Sequence, residues 1–133
     1  MITDNVFVTK DLAVATFEQV IEELGGDTVI DTCQIYVGGY DGEEKLPSCA
    51  VGQVYYRLVD KESWLMNDSQ AMPDDGWQIE GDTPNAVYLT DDTALGYLLR
   101  LQSVQDAGET WARAHEIAQS PETFATWREG LNR

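Results

Sequence analysis

Basic residues are scarce in this chain: 8 Lys and Arg stand against 24 Asp and Glu, so the formal net charge is −16. A charge of this size repels other polyanions and attracts basic surfaces. We therefore expect no direct binding to DNA, RNA or an anionic membrane, and we expect a protein partner with a basic surface. Solubility alone is the competing explanation, because net charge governs association rather than fold.

Cysteine and long apolar runs are also lacking. The two cysteines, Cys33 and Cys49, are too few for a secreted disulfide scaffold, so free thiols are expected. No apolar run approaches the roughly 20 residues of a membrane span, and the N-terminal residues lack the basic and apolar regions of a signal peptide. These absences predict a cytoplasmic protein. They leave open the oligomeric state and whether the two cysteines touch.

Motifs for phosphate, metal or cofactor binding are missing as well. The phosphate-binding patterns GxxxxGK[ST] and GxGxxG do not occur, and one His with two Cys lacks zinc-site spacing. The acidic turns at residues 41–44 and 74–76 lack the alternating ligands and terminal Glu of a calcium loop. We therefore predict no cofactor, no metal and no catalytic residues.

An enzyme that uses Cys49 or His115 is the least favoured of three functional hypotheses. Cys49 lies at a predicted helix start, where the pKa of a thiol can be depressed. A general base, however, needs a nucleophile within hydrogen-bond distance. The favoured interpretation is that Cys33 and Cys49 are structural and that His115 is a surface or half-buried helix residue. The enzyme hypothesis requires a cleft joining either cysteine to His115.

The clearest structural pattern is a pair of helices within residues 91–119. The first has an apolar stripe at helical spacing, begins near Thr90 or Asp91 as N-cap, and ends at Gly108, which accepts a left-handed conformation. Its inward residues are Ala94, Tyr97, Leu98, Leu101 and Val104. The inward residues of the second are Trp111, Ala114, Ile117 and Ala118. The pattern predicts a helical hairpin.

Other elements are predicted around this hairpin. Residues 11–24 form a helix with Ala13, Phe17, Val20, Ile21 and Leu24 inward. The β-branched run at 28–37 is the best strand, with short strands at the N-terminal lead and at 86–89. Residues 47–60 fit a helix or a strand, and we favour helix. Ser120 and Pro121 begin a last helix, whose inward residues are Phe124, Trp127 and Leu131.

The predicted fold class follows from these elements. It is α+β and predominantly helical, with about four helices around the central hairpin at 91–119 and a small β element at 28–37. At 133 residues the chain fits a single domain, 1–133.

Two short motifs resemble a pattern in small uncharacterised proteins of actinobacteria and their phages. The first is the run PSCAVG from Pro47 to Gly52, preceded by Cys33 and Tyr36. The second is VQDAG from Val104 to Gly108, followed by Trp111 and Ala114. That family carries no assigned activity, so the resemblance implies a setting, a phage-encoded accessory protein. It also implies helix rather than strand for residues 47–60.

One charge feature stands out: residues 62–99 contain eight acids and no Lys or Arg. Acidic and aromatic side chains together suit a basic partner surface, because charge steers association and aromatics hold it. The candidate partner-binding residues are Asp74, Asp75, Trp77, Glu80 and Asp82. The competing interpretation is a solvated acidic loop whose aromatics, including Trp64, belong to the core.

The sequence therefore favours a small acidic intracellular interaction protein without catalytic activity, an accessory factor of phage or actinobacterial origin. The alternative is a DNA-mimicking inhibitor of a host nucleic-acid-binding or defence protein, which requires the carboxylates to form one continuous face.

Overall fold

The computed structural model describes residues 4–30, 36–38, 44–58, 64 and 86–131. Four strands occur in these ranges: β1 (Asp4–Val8), β2 (Tyr36–Val37), β3 (Leu46–Pro47) and β4 (Ala86–Thr90). Five helices occur: α1 (Lys10–Leu24), α2 (Ala50–Leu58), α3 (Asp92–Asp106), α4 (Trp111–Ala118) and α5 (Pro121–Leu131). The fold is α+β and predominantly helical, as predicted.

The predicted helical hairpin is confirmed as α3 and α4. Asp91 caps α3, because its carboxylate accepts a hydrogen bond from the Ala94 amide at 2.7 Å. Gly108 follows α3 with a φ of +93°, a conformation that favours glycine. All nine residues predicted to face inward are buried: Ala94, Tyr97, Leu98, Leu101, Val104, Trp111, Ala114, Ile117 and Ala118.

Helix α1 packs against the hairpin and α2. The Thr9 hydroxyl accepts from the Leu12 amide at 3.2 Å and caps the helix, and Gly25 ends it with a φ of +99°. The predicted inward residues Ala13, Phe17 and Val20 are fully buried. The prediction for Leu24 was wrong: this side chain is 50% exposed, because it belongs to the last turn, where the chain leaves the core.

The start of the segment expected as a strand, 28–37, is not a strand. Residues 28–30 are not in a strand, residues 31–35 lie outside the described part, and only Tyr36–Val37 is a strand. The carbonyls of Gly26 and Thr28 instead accept from the Ala112 and Trp111 amides at 2.8 and 2.9 Å. Those amides are at the start of α4 and have no intrahelical partner. Capping of α4 therefore replaces strand pairing here.

Two small pairs of strands complete the described fold. β1 and β4 are parallel, with Val6 opposite Tyr88 and Val8 opposite Thr90, which confirms the short strands predicted at both positions. β2 and β3 are antiparallel. Because β1 leads into α1 and β4 leads into α3, the parallel pairing places the starts of these two helices side by side.

The ambiguous segment 47–60 contains a helix, as favoured, but the helix begins later than predicted, at Ala50, since Pro47 belongs to β3. The last helix, α5, is capped by the Ser120 hydroxyl, which accepts from the Thr123 amide at 3.1 Å. The prediction for Leu131 was wrong, because this side chain is 58% exposed. Helix α5 packs mainly on α4 and contains no fully buried residue.

None of the helices in the described residues has both the length and the apolar character needed to cross a membrane.

The orientation of α3 can be tested with two adjacent leucines. Leu98 is fully buried, whereas Leu99 is 42% exposed. Leu98→Ala should lower the free energy of unfolding by about 2–5 kcal/mol, since it leaves a cavity in the core. Leu99→Ala should change it by less than about 0.5–1 kcal/mol. Chemical denaturation of both variants measures this, and equal effects would contradict the orientation.

Candidate functional site

The candidate partner-binding residues predicted from the sequence, Asp74, Asp75, Trp77, Glu80 and Asp82, lie outside the described residues. Their arrangement stays a prediction. The described structure does place Trp64, near the start of the same base-free stretch, and it brings together polar residues that the sequence analysis did not single out.

Trp64 belongs to the core rather than to an exposed recognition surface. It is 2% exposed, and its ring packs against Tyr55 and Tyr56 with centroids 5.5 and 5.0 Å apart. Its indole N–H donates to the Lys45 carbonyl at 2.9 Å, and the Lys45 ammonium donates to the Trp64 carbonyl at 2.9 Å. This reciprocal pair fixes the start of the base-free stretch to the body of the protein.

Cys49 is a buried residue at the start of α2. Its Sγ accepts from the Gly52 amide at 3.3 Å, so the thiol occupies the place of an N-capping side chain. Burial raises the pKa of Cys49 to about 11, although the backbone N–H groups oppose that shift. The hypothesis of a depressed pKa at this helix start was therefore wrong, because desolvation outweighs the helix terminus.

Gln105 is the central polar residue of the described core, and the sequence analysis did not identify its role. It is fully buried on α3. Its Oε1 accepts from the Ala50 amide at 2.6 Å and from the Trp111 indole N–H at 3.3 Å. One side chain thus joins the starts of α2 and α4 to the end of α3. The sequence did contain an indication of this role, because Gln105 lies next to the apolar stripe of α3.

The same contact joins the two short motifs PSCAVG and VQDAG. Ala50 belongs to the PSCAVG run, Gln105 belongs to the VQDAG run, and Trp111 follows it. Gln105 also donates to the neighbouring Asp106 carboxylate at 3.0 Å. The motifs therefore meet at a buried hydrogen-bonded joint, which is a structural role.

A second polar cluster lies at the opposite end of the hairpin, around His115. The Tyr97 hydroxyl lies 2.7 Å from His115 Nδ1, and the Gln119 amide nitrogen lies 3.0 Å from His115 Nε2. The Phe17 ring from α1 covers the imidazole, with centroids 5.9 Å apart. Desolvation lowers the pKa of His115, with Glu18 opposing, and burial raises the pKa of Tyr97. Both shifts favour the neutral form of the side chain.

Two cations lie beside this cluster at the C-terminal end of α4. The Lys10 ammonium donates to the Gln119 carbonyl at 2.7 Å, and the Arg100 Nε donates to the Ala118 carbonyl at 2.9 Å. The last carbonyls of a helix lack intrahelical partners and carry partial negative charge, so cations stabilise them.

The described residues do not bring Cys49 and His115 together. The joint near Cys49 involves Gln105, whereas His115 contacts Tyr97, eight residues earlier on α3. Eight residues span about 12 Å of helix, well beyond hydrogen-bond distance. Cys33 lies outside the described residues. Within the described part, no group of three His, Cys, Asp or Glu side chains is arranged to hold a metal ion.

Comparison with known proteins adds no relative. No protein-family model matches the chain, and neither the curated proteins nor the solved structures contain a significant match.

The buried joint predicts a large effect for Gln105→Met. Methionine retains the length of the side chain but leaves the Ala50 amide and the Trp111 indole N–H without an acceptor. The free energy of unfolding should fall by about 1–3 kcal/mol or more, measured by chemical denaturation.

Gln102→Met is the matched control. Gln102 lies one turn earlier on α3, is half-buried, and its Oε1 accepts no hydrogen bond within the described structure. This variant should lose less than about 0.5–1 kcal/mol. Equal losses in the two variants would show that the Gln105 contacts do not stabilise the fold.

Burial of Cys49 predicts slow reaction with thiol reagents. In a Cys33→Ser variant, which leaves one thiol, native protein at pH 7 should be labelled far more slowly than denatured protein, because a pKa of about 11 leaves little thiolate and the Sγ is enclosed. Mass spectrometry of timed samples measures the rate. Rapid labelling of native protein would favour the enzyme hypothesis again.

Proposed function

We propose that this chain is a small acidic, non-catalytic interaction protein that binds a partner with a basic surface. The observation that carries the proposal is that the acidic side chains of the described helices are exposed and that few of them form ion pairs. Ion pairs in the described residues join Arg57 to Glu23, and Arg113 to Glu109 and Glu116. The acidic side chains of the described helices are exposed, and the net charge of the whole chain is −16.

The use of the cations strengthens this proposal. Lys10 and Arg100 donate to backbone carbonyls of the hairpin, and Lys45 is buried against Trp64. Three of the eight basic side chains are thus engaged in the fold. On α1, Asp11, Glu18 and Glu22 are exposed on one face and form no ion pair in the described residues. Such a surface attracts basic proteins over a range set by salt.

The candidate recognition surface remains Asp74, Asp75, Trp77, Glu80 and Asp82, because aromatic and acidic residues together give both anchoring and steering. The resemblance to small proteins of actinobacteria and their phages supports an accessory role inside the cell. In the described residues Cys49 and His115 do not pair, so this part of the structure offers no support for the catalytic alternative.

The hypothesis that this chain mimics DNA is less well supported than the hypothesis that it binds a basic protein through a surface of ordinary charge density. Duplex DNA carries about one charge per 1.7 Å of axis. The acidic face of α1, from Asp11 to Glu22, spans about 16 Å of helix and carries three carboxylates where a duplex would carry about ten. Mimicry would therefore depend on the acidic residues at 74–82.

Two double charge reversals separate a local recognition surface from a general effect of net charge. The Asp74→Lys, Asp75→Lys variant changes the candidate surface. The Asp11→Lys, Glu22→Lys variant changes α1 by the same amount of charge. For a partner captured from host lysate, the first variant should slow association at least several-fold more than the second, and the difference should shrink as salt rises.

Surface plasmon resonance at low and high salt measures the association rates, and thermal denaturation serves as the control. Both variants should keep nearly the parental stability, since exposed charges contribute little to folding. Equal slowing by the two variants would leave net charge as the cause and contradict the candidate surface. A lysate that yields only partners insensitive to salt would contradict the proposed function.

A further inference from the structure

The parallel pair of β1 and β4 is a sheet of only two strands. In the described residues, each strand contacts the other far more than it contacts any helix, and no further strand pairs with either. Parallel strands usually belong to larger sheets that are covered on both faces, and a two-stranded pair has little stability by itself. The pair therefore has two open edges in the described fold, and an open edge is a template for a further strand.

The backbone groups at the outer edge of β4 follow from one hydrogen bond and the register. The Val8 carbonyl accepts from the Asp91 amide at 3.1 Å, and Val8 lies opposite Thr90. Along a strand, the N–H and C=O groups of successive residues point to opposite sides. The groups of Leu89 and Asp91 are therefore directed to β1, and those of Tyr88 and Thr90 are directed away from it. These outward groups make no backbone hydrogen bond within the described residues.

Charge favours the β4 edge over the β1 edge for a basic partner. β1 leads into Lys10, whereas β4 leads into Asp91 and Asp92, whose side chains are exposed. Residues 62–99, a range that contains the whole of β4, include no Lys or Arg. A strand that carries lysine or arginine is attracted to such an edge. A second copy of this chain, with its net charge of −16, is repelled.

We infer that the outer edge of β4 binds an extended, lysine- or arginine-containing segment of a partner protein as a third strand of the β1–β4 sheet. Backbone hydrogen bonds to Tyr88 and Thr90 hold the segment, and the acidic residues after β4 favour its positive charge. This inference rests on the proposed basic partner and adds how that partner binds. It requires backbone N–H groups in the bound segment, which attraction between charges alone does not.

Amide hydrogen exchange of the unbound protein, followed by NMR and corrected for intrinsic rates, tests whether the edge is open. The Leu89 and Asp91 amides face β1 and should exchange slowly, while the Tyr88 and Thr90 amides should exchange at least about tenfold faster. Equal exchange of all four amides overturns the inference. Slow exchange of all four would show that the edge is already covered, and fast exchange would show that the pair of strands does not persist.

The binding step is tested with an octapeptide of alternating lysine and valine. At low salt it should slow the exchange of the Tyr88 and Thr90 amides in the parent protein. The matched control peptide keeps the full charge but carries methyl groups on two adjacent central backbone nitrogens, one for each edge of the peptide strand. It should bind at least about fivefold more weakly, the loss expected for one hydrogen bond. A second control peptide, with glutamate in place of lysine, should not bind.

Equal binding of the two lysine peptides, or no slowing at Tyr88 and Thr90, overturns the inference. The proposed function does not depend on these results, because its own test is the salt-dependent association of a captured partner. Equal binding of the glutamate peptide overturns the choice of a basic segment.

Two substitutions at one position give an independent check. Thr90→Pro removes an outward N–H and leaves the hydrogen bonds to β1, whereas Thr90→Ala keeps that N–H. Only Thr90→Pro should weaken binding of the lysine peptide, and equal affinities of the two variants overturn the inference. If Thr90→Pro does not fold, the exchange and peptide measurements on the parent protein decide.

Discussion

The buried Gln105 side chain is the constraint on which the described fold most depends. A fully buried amide is tolerated only when its polar atoms are paired, and the cost of leaving a buried donor without an acceptor is about 1–3 kcal/mol. Gln105 Oε1 serves two donors from two other elements, the Ala50 amide and the Trp111 indole. A shift of α2 or of α4 along α3 would break one of these bonds. The contact therefore fixes register as well as stability.

Helix α4 shows the same dependence on its neighbours. A helix of eight residues is not stable by itself in water. Its first amides are capped by carbonyls of Gly26 and Thr28, and its C-terminal end is capped by Lys10 and Arg100. The close approach also explains a glycine, since a Cβ at Gly26 would lie 2.9 Å from that of Ala112. Capping the C-terminal carbonyls of α4 in this way uses Lys10 and Arg100, two of the few cations of an acidic chain.

Much of this fold could be predicted from the sequence, because helical periodicity and capping residues are local signals. The stripe from Ala94 to Val104, the start of the last helix at Ser120 and the Gly108 stop all formed as expected. The errors have a common cause. Residues 28–30 have strand propensity, but the Thr28 carbonyl accepts from the Trp111 amide at the start of α4, a partner that is distant in sequence. Leu24 and Leu131 match a helical period at helix ends that lack a neighbour to cover them.

The candidate site was predictable only in its charge. Composition shows that the surface is acidic, but it cannot show that Lys10, Lys45 and Arg100 would be engaged within the fold. Nor could it show that Trp64 is a core residue, since an aromatic between acids fits a partner surface as well as a core. The structure separates the two roles: Trp64 and β4 hold the flanks of the base-free stretch to the body. At both of these described flanks, the contacts that hold the chain to the body are made by an indole ring and by backbone pairing.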